Sequence, residues 1–177
     1  MTGVLAQSRA MTLRHLRALW RQPAFVAITL VQPVMWLLLF GALFTRVADI
    51  PGFDADSYIA FLTPGIVIMT ALFSAGWSGM AAITDLDRGV VDRFLVTPAH
   101  RFALVAGPLG QQKIVTIVQS AIILLLALAA GARFPGGLPA AILLILYAVL
   151  LSVFISGLSI ALALVARKEE TVIAAVN

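Results

Sequence analysis

Four long apolar runs, separated by short charged or turn-forming stretches, constrain the fold of this chain more than any other feature. They cover residues 23–44, 58–83, 102–130 and 140–166. A helix needs about 20 apolar residues to cross the hydrocarbon of a bilayer, so each run is long enough. The chain is 62% hydrophobic and only 11% charged, which leaves too little polar surface for a soluble domain. We therefore expect an all-α, polytopic membrane helix bundle with four complete spans.

The stretches around the runs complete a single transmembrane domain over residues 1–177. Residues 1–22 are predicted to form an amphipathic helix in the membrane interface. Residues 84–101 are predicted to form a short cytoplasmic helix between the second and third spans, and 171–177 the start of a fifth span. A signal peptide is disfavoured for the first run, because the run exceeds the usual apolar region of about 7–15 residues and no small-residue cleavage site follows it.

The N-terminal segment carries an apolar stripe beside a basic stripe at helical spacing, a pattern typical of interfacial helices. The two stripes consist of Leu13, Leu16 and Trp20, and of Arg14, Arg17 and Arg21. The alternative is a basic terminus without fixed structure that only sets the topology of the spans.

The distribution of Lys and Arg predicts the orientation of the bundle. Ten of these residues lie in the N-terminal segment, in or just after residues 84–101, and in the stretch that follows the fourth run. The other two are Arg46 and Arg133. Because cytoplasmic loops are enriched in Lys and Arg, the N-terminus is predicted to be cytoplasmic. This placement of basic residues fits membrane topology better than it fits nucleic-acid binding.

Three local patterns predict how the helices begin and pack. Asp56 or Ser57 is expected to cap the helix of the second run. Ala75 and Gly79, four residues apart, offer a small-residue face for close helix contact. The polar residues of the fourth run are expected to bond back to their own helix or to face a neighbour. They are Ser152, Ser156 and Ser159.

Residues 84–101, called the charged segment below, form the longest polar stretch between two apolar runs. Residues 87–96 can make about two and a half helical turns, and Thr97–Pro98 is typical of the start of a new helix. The alternative is a solvated loop that only connects two spans. A cation site at Asp85, Asp87 and Asp92 is disfavoured, because Arg88 lies at i,i+3 and i,i+4 spacing from two of these carboxylates and can pair with them.

The sequence gives no sign of an enzyme. It has no Cys, no GxxxxGK[ST] phosphate loop, and no GxSxG or HExxH motif, so we expect no cofactor, metal ion or nucleotide on this chain. No Asp or Glu lies in the middle of an apolar run. Transporters driven by proton or sodium gradients use ionisable or unwound polar sites at membrane depth, so this pattern indicates that energy arrives from outside the bilayer. Lys113 is expected to snorkel to the cytoplasmic interface.

The run Asp-Arg-Gly-Val-Val-Asp-Arg-Phe-Leu-Val-Thr-Pro-Ala-His-Arg resembles the first cytoplasmic loop of ABC-2 type permeases, the membrane subunits of bacterial ABC exporters, including the daunorubicin-resistance type. Residues 20–23, 32–33 and 167–177 are similar to other parts of that family, and so is Gly107. Family members have about six spans, so the resemblance suggests a C-terminally truncated permease. The positions that fill the loop pattern are Asp87, Arg88, Gly89, Asp92, Thr97 and Pro98.

The resemblance implies a mechanism and a set of partners. Two permeases, identical or homologous, would pair in the lipid of the cell (inner or plasma) membrane. Two separate ATPase subunits, which use ATP and magnesium, would bind below them. The charged segment, including Arg93 and Phe94, would be the coupling helix, and the permease would export a hydrophobic or amphipathic drug, lipid or glycan. The alternatives are a non-transporting scaffold or sensor that binds a cytoplasmic partner, and a fragment of a secondary transporter.

Overall fold

The computed structural model describes residues 12, 13, 16, 17, 23–49, 57–87, 102–134 and 136–166. For 23–28, 48, 49, 86, 87 and 102–104 it describes the backbone only. Within these ranges the molecule is all-helical. The α-helices are α1 (Pro23–Leu43), α2 (Tyr58–Gly76), α3 (Ser78–Asp87), α4 (Phe102–Ala129) and α5 (Gly137–Ala166), and a short 3-10 helix follows α1 at Thr45–Asp49.

Three described stretches are long and apolar enough to cross a membrane: Tyr58–Asp85, Val105–Ala129 and Gly137–Ala166. They overlap the second, third and fourth predicted spans. The first predicted span overlaps α1, but its described apolar part, Thr29–Leu43, is shorter than the other three. The all-α prediction is therefore confirmed for the described residues. The number of spans and their orientation stay predictions.

The helix predicted over 58–83 differs from the structure in two ways. It extends further, to Asp87, and it is interrupted at Trp77, which separates α2 from α3. At the other end of α2, the Ser57 side chain accepts a hydrogen bond of 3.2 Å from the Ala60 N–H. This is the N-cap that the sequence predicts, and it satisfies one of the unpaired amides in the first turn.

The turn between α4 and α5 is fixed by a Schellman cap. The Gly131 N–H bonds the Leu128 carbonyl, and the Ala132 N–H bonds the Ala127 carbonyl, both at 3.0 Å. Gly131 has a φ of +89°, a conformation that a residue with a Cβ adopts only with strain. Ala127 and Ala132 are both buried, so the cap also joins the end of α4 to the core.

Helix packing creates two apolar clusters at opposite ends of the bundle. The larger cluster joins α1, α2, α4 and α5 near the turn after α4, and includes Leu37, Val67 and Ile123. The smaller cluster joins α3 to α5 through Ala82, Ile83, Ile160 and Ala163. We call the second region the α3 end of the bundle.

An aromatic ladder closes the junction between α1 and α2 at the end opposite α3. Neighbouring ring centroids lie 4.7–6.3 Å apart, a spacing at which aromatic rings attract one another beyond simple burial. The ladder consists of Trp36, Phe40, Phe44, Tyr58 and Phe61. The Phe44–Tyr58 contact brings the end of the first helix region next to the start of α2.

A buried polar layer as the candidate functional site

The apolar helix α4 carries a polar stripe that faces the inside of the bundle. Gln112, Thr116 and Gln119 are spaced by four and three residues, which places them on one helix face. Their exposed fractions are 6%, 1% and 5%. Burial of so many polar side chains is stable only when they find hydrogen-bond partners. The stripe therefore has to meet polar groups on the helices beside it.

A directed chain of hydrogen bonds connects the stripe to α5. The Gln112 amide donates to the Thr116 hydroxyl at 3.2 Å. Thr116 donates to Ser152 at 3.0 Å, and Ser152 donates to the Val149 carbonyl of its own helix at 2.9 Å. Because each hydroxyl donates and accepts, neighbouring bonds polarise and strengthen one another. The prediction that Ser152 bonds its own helix or a neighbour is confirmed, and it does both.

Gln112 also connects α4 to the two helices on either side of the interruption at Trp77. Its amide nitrogen donates to the Ser74 hydroxyl of α2 at 3.2 Å. Its amide oxygen accepts from the Ser78 hydroxyl of α3 at 3.5 Å. One side chain therefore holds the end of α2 and the start of α3 beside α4.

Ser159 of α5 fills the interruption itself. Its hydroxyl donates to the Gly76 carbonyl and accepts from the Gly79 N–H at 3.0 Å. A side chain inserted into the backbone ladder in this way is a recognised cause of helix kinks. A Cβ on Gly79 would stand 2.6 Å from the Ser159 carbonyl oxygen and hydroxyl, so the insertion requires glycine there. The close contact predicted at Gly79 is therefore confirmed, and Ala75, the other residue of the predicted face, is buried.

These side chains form a polar layer between the two apolar clusters, built from hydroxyls and one amide. We define the polar layer as Ser74, Ser78, Gln112, Thr116, Ser152 and Ser159. Beside it, Gln119 donates to the Thr29 hydroxyl of α1 at 3.5 Å. Ser156 is fully buried, and its hydroxyl bonds no other described group.

The predicted coupling residues lie almost wholly outside the described residues. Asp87 ends α3, and only its backbone is described. The others are Arg88, Gly89, Asp92, Arg93, Phe94, Thr97 and Pro98, which lie outside the described residues. Leu109 of α4 packs against the smaller apolar cluster, which includes Ala82 and Ile83 of α3. The charged segment therefore connects two helices that are neighbours at the α3 end.

The predicted interfacial helix is described at four positions. Thr12, Leu13, Leu16 and Arg17 are helical, whereas Arg14, Trp20 and Arg21 lie outside the described residues. The Thr12 hydroxyl donates to the Gly107 carbonyl of α4 at 3.4 Å. A Cβ on Gly110 would collide with the Thr12 side chain. Thr12 therefore lies against the first turns of α4, at the α3 end.

Sequence reasoning missed the polar layer on α4. Gln112 and Thr116 carry no charge, so they do not stand out as ionisable residues within an apolar run. Their spacing was the signal that would have revealed them, since polar residues at 112, 116 and 119 repeat every three to four positions. In the part of the chain that the structure describes, no three His, Asp or Glu side chains gather as a metal site. Asp92 of the rejected cation site lies outside that part.

Comparison with known proteins identifies the family. A family model described as "ABC-2 type transporter" matches residues 6–177. The chain belongs to the ABC-2 type transporter family. The family resemblance predicted from the sequence is thereby confirmed, and the long apolar helices are those of a multi-pass membrane protein.

Curated relatives of this ABC-2 chain are named as permeases. It is 29% identical over 169 residues to the "Daunorubicin resistance ABC transporter permease protein DrrB1" of Streptomyces coeruleorubidus, a match covering 91% of this chain and 57% of the relative. It is 35% identical over 97 residues to the "Putative transport permease ycf38" of Pyropia yezoensis, covering 54% and 33%. The chain thus spans between a third and three-fifths of the relatives' lengths. No solved structure matches it significantly.

Proposed function

We propose that this chain is part of the membrane subunit of an ATP-driven exporter. It moves a hydrophobic or amphipathic substrate, such as a drug, a lipid or a glycan, out of the cell across the plasma membrane. The observation that carries the proposal is the family match over residues 6–177. Among the possible substrates, a drug is supported by the daunorubicin-resistance relative, whose match covers 91% of this chain.

Energy enters at the α3 end in this proposal. The charged segment joins α3 to α4 there, and its residues from Asp87 to Pro98 contact a separate ATPase subunit that binds ATP and magnesium. ATP binding must favour one of two permease states through different contacts in each state. The polar layer is consistent with this proposal, because it is built from hydroxyls and one amide and contains no carboxylate or imidazole, the groups that carry protons in proton-driven transporters.

The remaining partners follow from the same proposal. A second permease, identical or homologous, pairs with this chain, and the large exposed apolar side chains face lipid or that second permease. Leu146, Leu150 and Phe154 of α5 are 51–64% exposed, which fits a helix surrounded by hydrocarbon rather than water. The amphipathic segment around Leu13 and Arg17 lies in the membrane interface.

Co-expression with the ATPase encoded nearest to this gene tests the proposal. We expect the ATPase to co-purify with the permease. We also expect everted vesicles to accumulate daunorubicin, the first probe suggested by the relative's name, only when ATP is supplied. An ATPase that never co-purifies contradicts the exporter proposal. An ATPase that binds without moving any tested substrate favours a non-transporting role.

Variants of the charged segment test coupling. Arg88→Ala and Gly89→Pro are expected to leave membrane insertion intact while ATP hydrolysis continues without export. Arg133→Ala is the matched control, since Arg133 is an exposed arginine at the opposite end of the bundle, and it is expected to export normally. Normal export by the Gly89→Pro protein contradicts the coupling role.

A further inference from the structure

We propose that Ser159 is a positioning residue. Its hydroxyl holds a hinge at Trp77, about which α3 turns as a lever relative to α2. The inference rests on the proposed function in one respect: the charged segment, which continues α3, is where the ATPase pushes. The hinge itself is argued from the packing of α2, α3 and α5 alone.

The hinge lies where the membrane is expected to end. The 19 residues of α2 rise about 28 Å at 1.5 Å per residue, close to the hydrocarbon thickness of about 30 Å. Trp77 is 43% exposed, and tryptophans collect at the membrane–water boundary. Lys113 is exposed and directly follows Gln112, which bonds Ser78, so both boundary markers lie at one level. In this arrangement α3 extends beyond the hydrocarbon, towards the ATPase.

The backbone at the hinge has two possible sets of hydrogen bonds. In the structure, the Met80 N–H bonds the Trp77 carbonyl at 3.1 Å, and the Ser159 hydroxyl serves Gly76 and Gly79. In a continuous helix, the Met80 N–H would instead bond the Gly76 carbonyl, and the Gly79 N–H would bond the Ala75 carbonyl. Both sets give the Gly79 N–H, the Met80 N–H and the Gly76 carbonyl a hydrogen-bond partner. The interrupted and continuous forms therefore differ mainly in whether the Ser159 hydroxyl lies between these backbone groups.

The contacts of α3 allow it to move without disrupting the core. The smaller apolar cluster joins α3 to α5 through alanines and isoleucines at 82, 83, 160 and 163. The larger cluster is built on α1, α2, α4 and α5. A shift of α3 therefore breaks contacts in the smaller cluster and leaves those of the larger one in place. Since α3 continues into the charged segment, force applied there is transmitted along α3 to the hinge.

Spin-label distances in the chain reconstituted alone in liposomes test the hinge. The sequence has no Cys, so two introduced cysteines report a single distance. Ala81→Cys with Val165→Cys measures α3 against α5, and both positions are exposed. Phe73→Cys with Phe154→Cys measures α2 against α5 as a reference.

Removal of the Ser159 hydroxyl is expected to move only the first distance. In Ser159→Ala, the population with the continuous helix rises about three- to tenfold, because one or two membrane-buried hydrogen bonds of ordinary strength are lost from the interrupted form. Ser156→Ala is the matched control, since Ser156 is a buried serine one turn away whose hydroxyl bonds no other described group. It is expected to leave both distances unchanged. Gly79→Ala places a Cβ 2.6 Å from both the hydroxyl and the backbone carbonyl oxygen of Ser159, so it should shift the first distance at least as far as Ser159→Ala does.

An unchanged α3–α5 distance in both Ser159→Ala and Gly79→Ala overturns the inference, and so does an equal shift in the reference pair. No ATPase is present in this measurement, so its failure is separate from failure of the exporter proposal. In the complete transporter, Ser159→Ala should lower the substrate moved per ATP hydrolysed, whereas Ser156→Ala should not. If Ser159→Ala shifts the α3–α5 distance but leaves the substrate moved per ATP hydrolysed unchanged, the hinge does not take part in coupling, and that role of Ser159 is overturned.

Discussion

At the scale of single residues, Gln112 does the most to hold the polar layer together. It bonds Ser74, Ser78 and Thr116, which belong to three helices. Hydrogen bonds between membrane helices contribute about 0.6 kcal/mol on average and up to about 1.7 kcal/mol. The three hydroxyls can partly recover by bonding carbonyls of their own helices, so the loss of Gln112 should weaken the bundle without abolishing it.

We expect Gln112→Leu to reduce the free energy of unfolding in bilayers by about 1–2 kcal/mol. Gln111→Leu is the control, because it makes the same change at the preceding position, which is only partly buried. Its effect should stay within about 0.5 kcal/mol, as for most changes away from core features. Steric-trapping measurements in bicelles give both values. Equal destabilisation by the two variants means that the hydrogen bonds of Gln112 do not stabilise the layer.

The sequence predicted residues whose roles depend on near neighbours, and failed where the partner is remote. Ser57 caps a helix through an amide three residues away, so local pattern sufficed. Ser159 bonds groups 80 and 83 positions distant, and it reaches them only because two helices pack together. The sequence indicated that Ser159 would bond its own helix or face a neighbour, but it could not indicate which backbone groups it would bond.

At the scale of helices and connecting segments, Thr12 packs against a glycine on α4. Thr12 occupies the space where a Gly110 side chain would be, and it bonds the Gly107 carbonyl. A larger residue at 110 therefore pushes Thr12 away from α4. The contact places Thr12 near the level of Lys113, where the membrane interface is expected.

We expect Gly110→Val to displace the N-terminal segment, raising amide hydrogen exchange of residues 12–17 roughly tenfold, while the rest of α4 keeps its protection. Gly65→Val is the control, because a Cβ on Gly65 meets nothing within 4 Å, and it should leave exchange of that segment unchanged. Mass spectrometry of the exchanged peptides measures both. Unchanged exchange in Gly110→Val contradicts the docking described here.

Helix positions followed from the apolar runs, since lengths of about 20 residues or more with few charges leave few alternatives. The interruption at Trp77 did not. Ala75 and Gly79, on either side of it, were predicted only as small residues in a packing face, and no proline marks the site. The helix is divided there because a hydroxyl from α5 enters its backbone, and tertiary contacts of this kind leave no periodic signal in one segment.

At the scale of the whole molecule, orientation remains the prediction on which the coupling proposal depends. Arg93→Cys and Arg133→Cys place single reactive thiols in the charged segment and in the turn between α4 and α5. With a membrane-impermeant maleimide, Arg133→Cys should be labelled in intact cells, and Arg93→Cys only after permeabilisation. The positive-inside asymmetry gives the reason. The reverse labelling pattern contradicts both the orientation and the coupling role.

The two apolar clusters have a consequence for electrical leakage. A transporter that loosened along its whole length during each cycle would let ions cross and run down the membrane potential. Here the region that moves with α3 is separated by the polar layer from a second, larger cluster around Val67 and Ile123. Water drawn in beside α3 would meet a wall of aliphatic side chains that no ion enters without losing its hydration. The bundle can therefore move at the α3 end while the larger cluster stays packed and impermeable to ions.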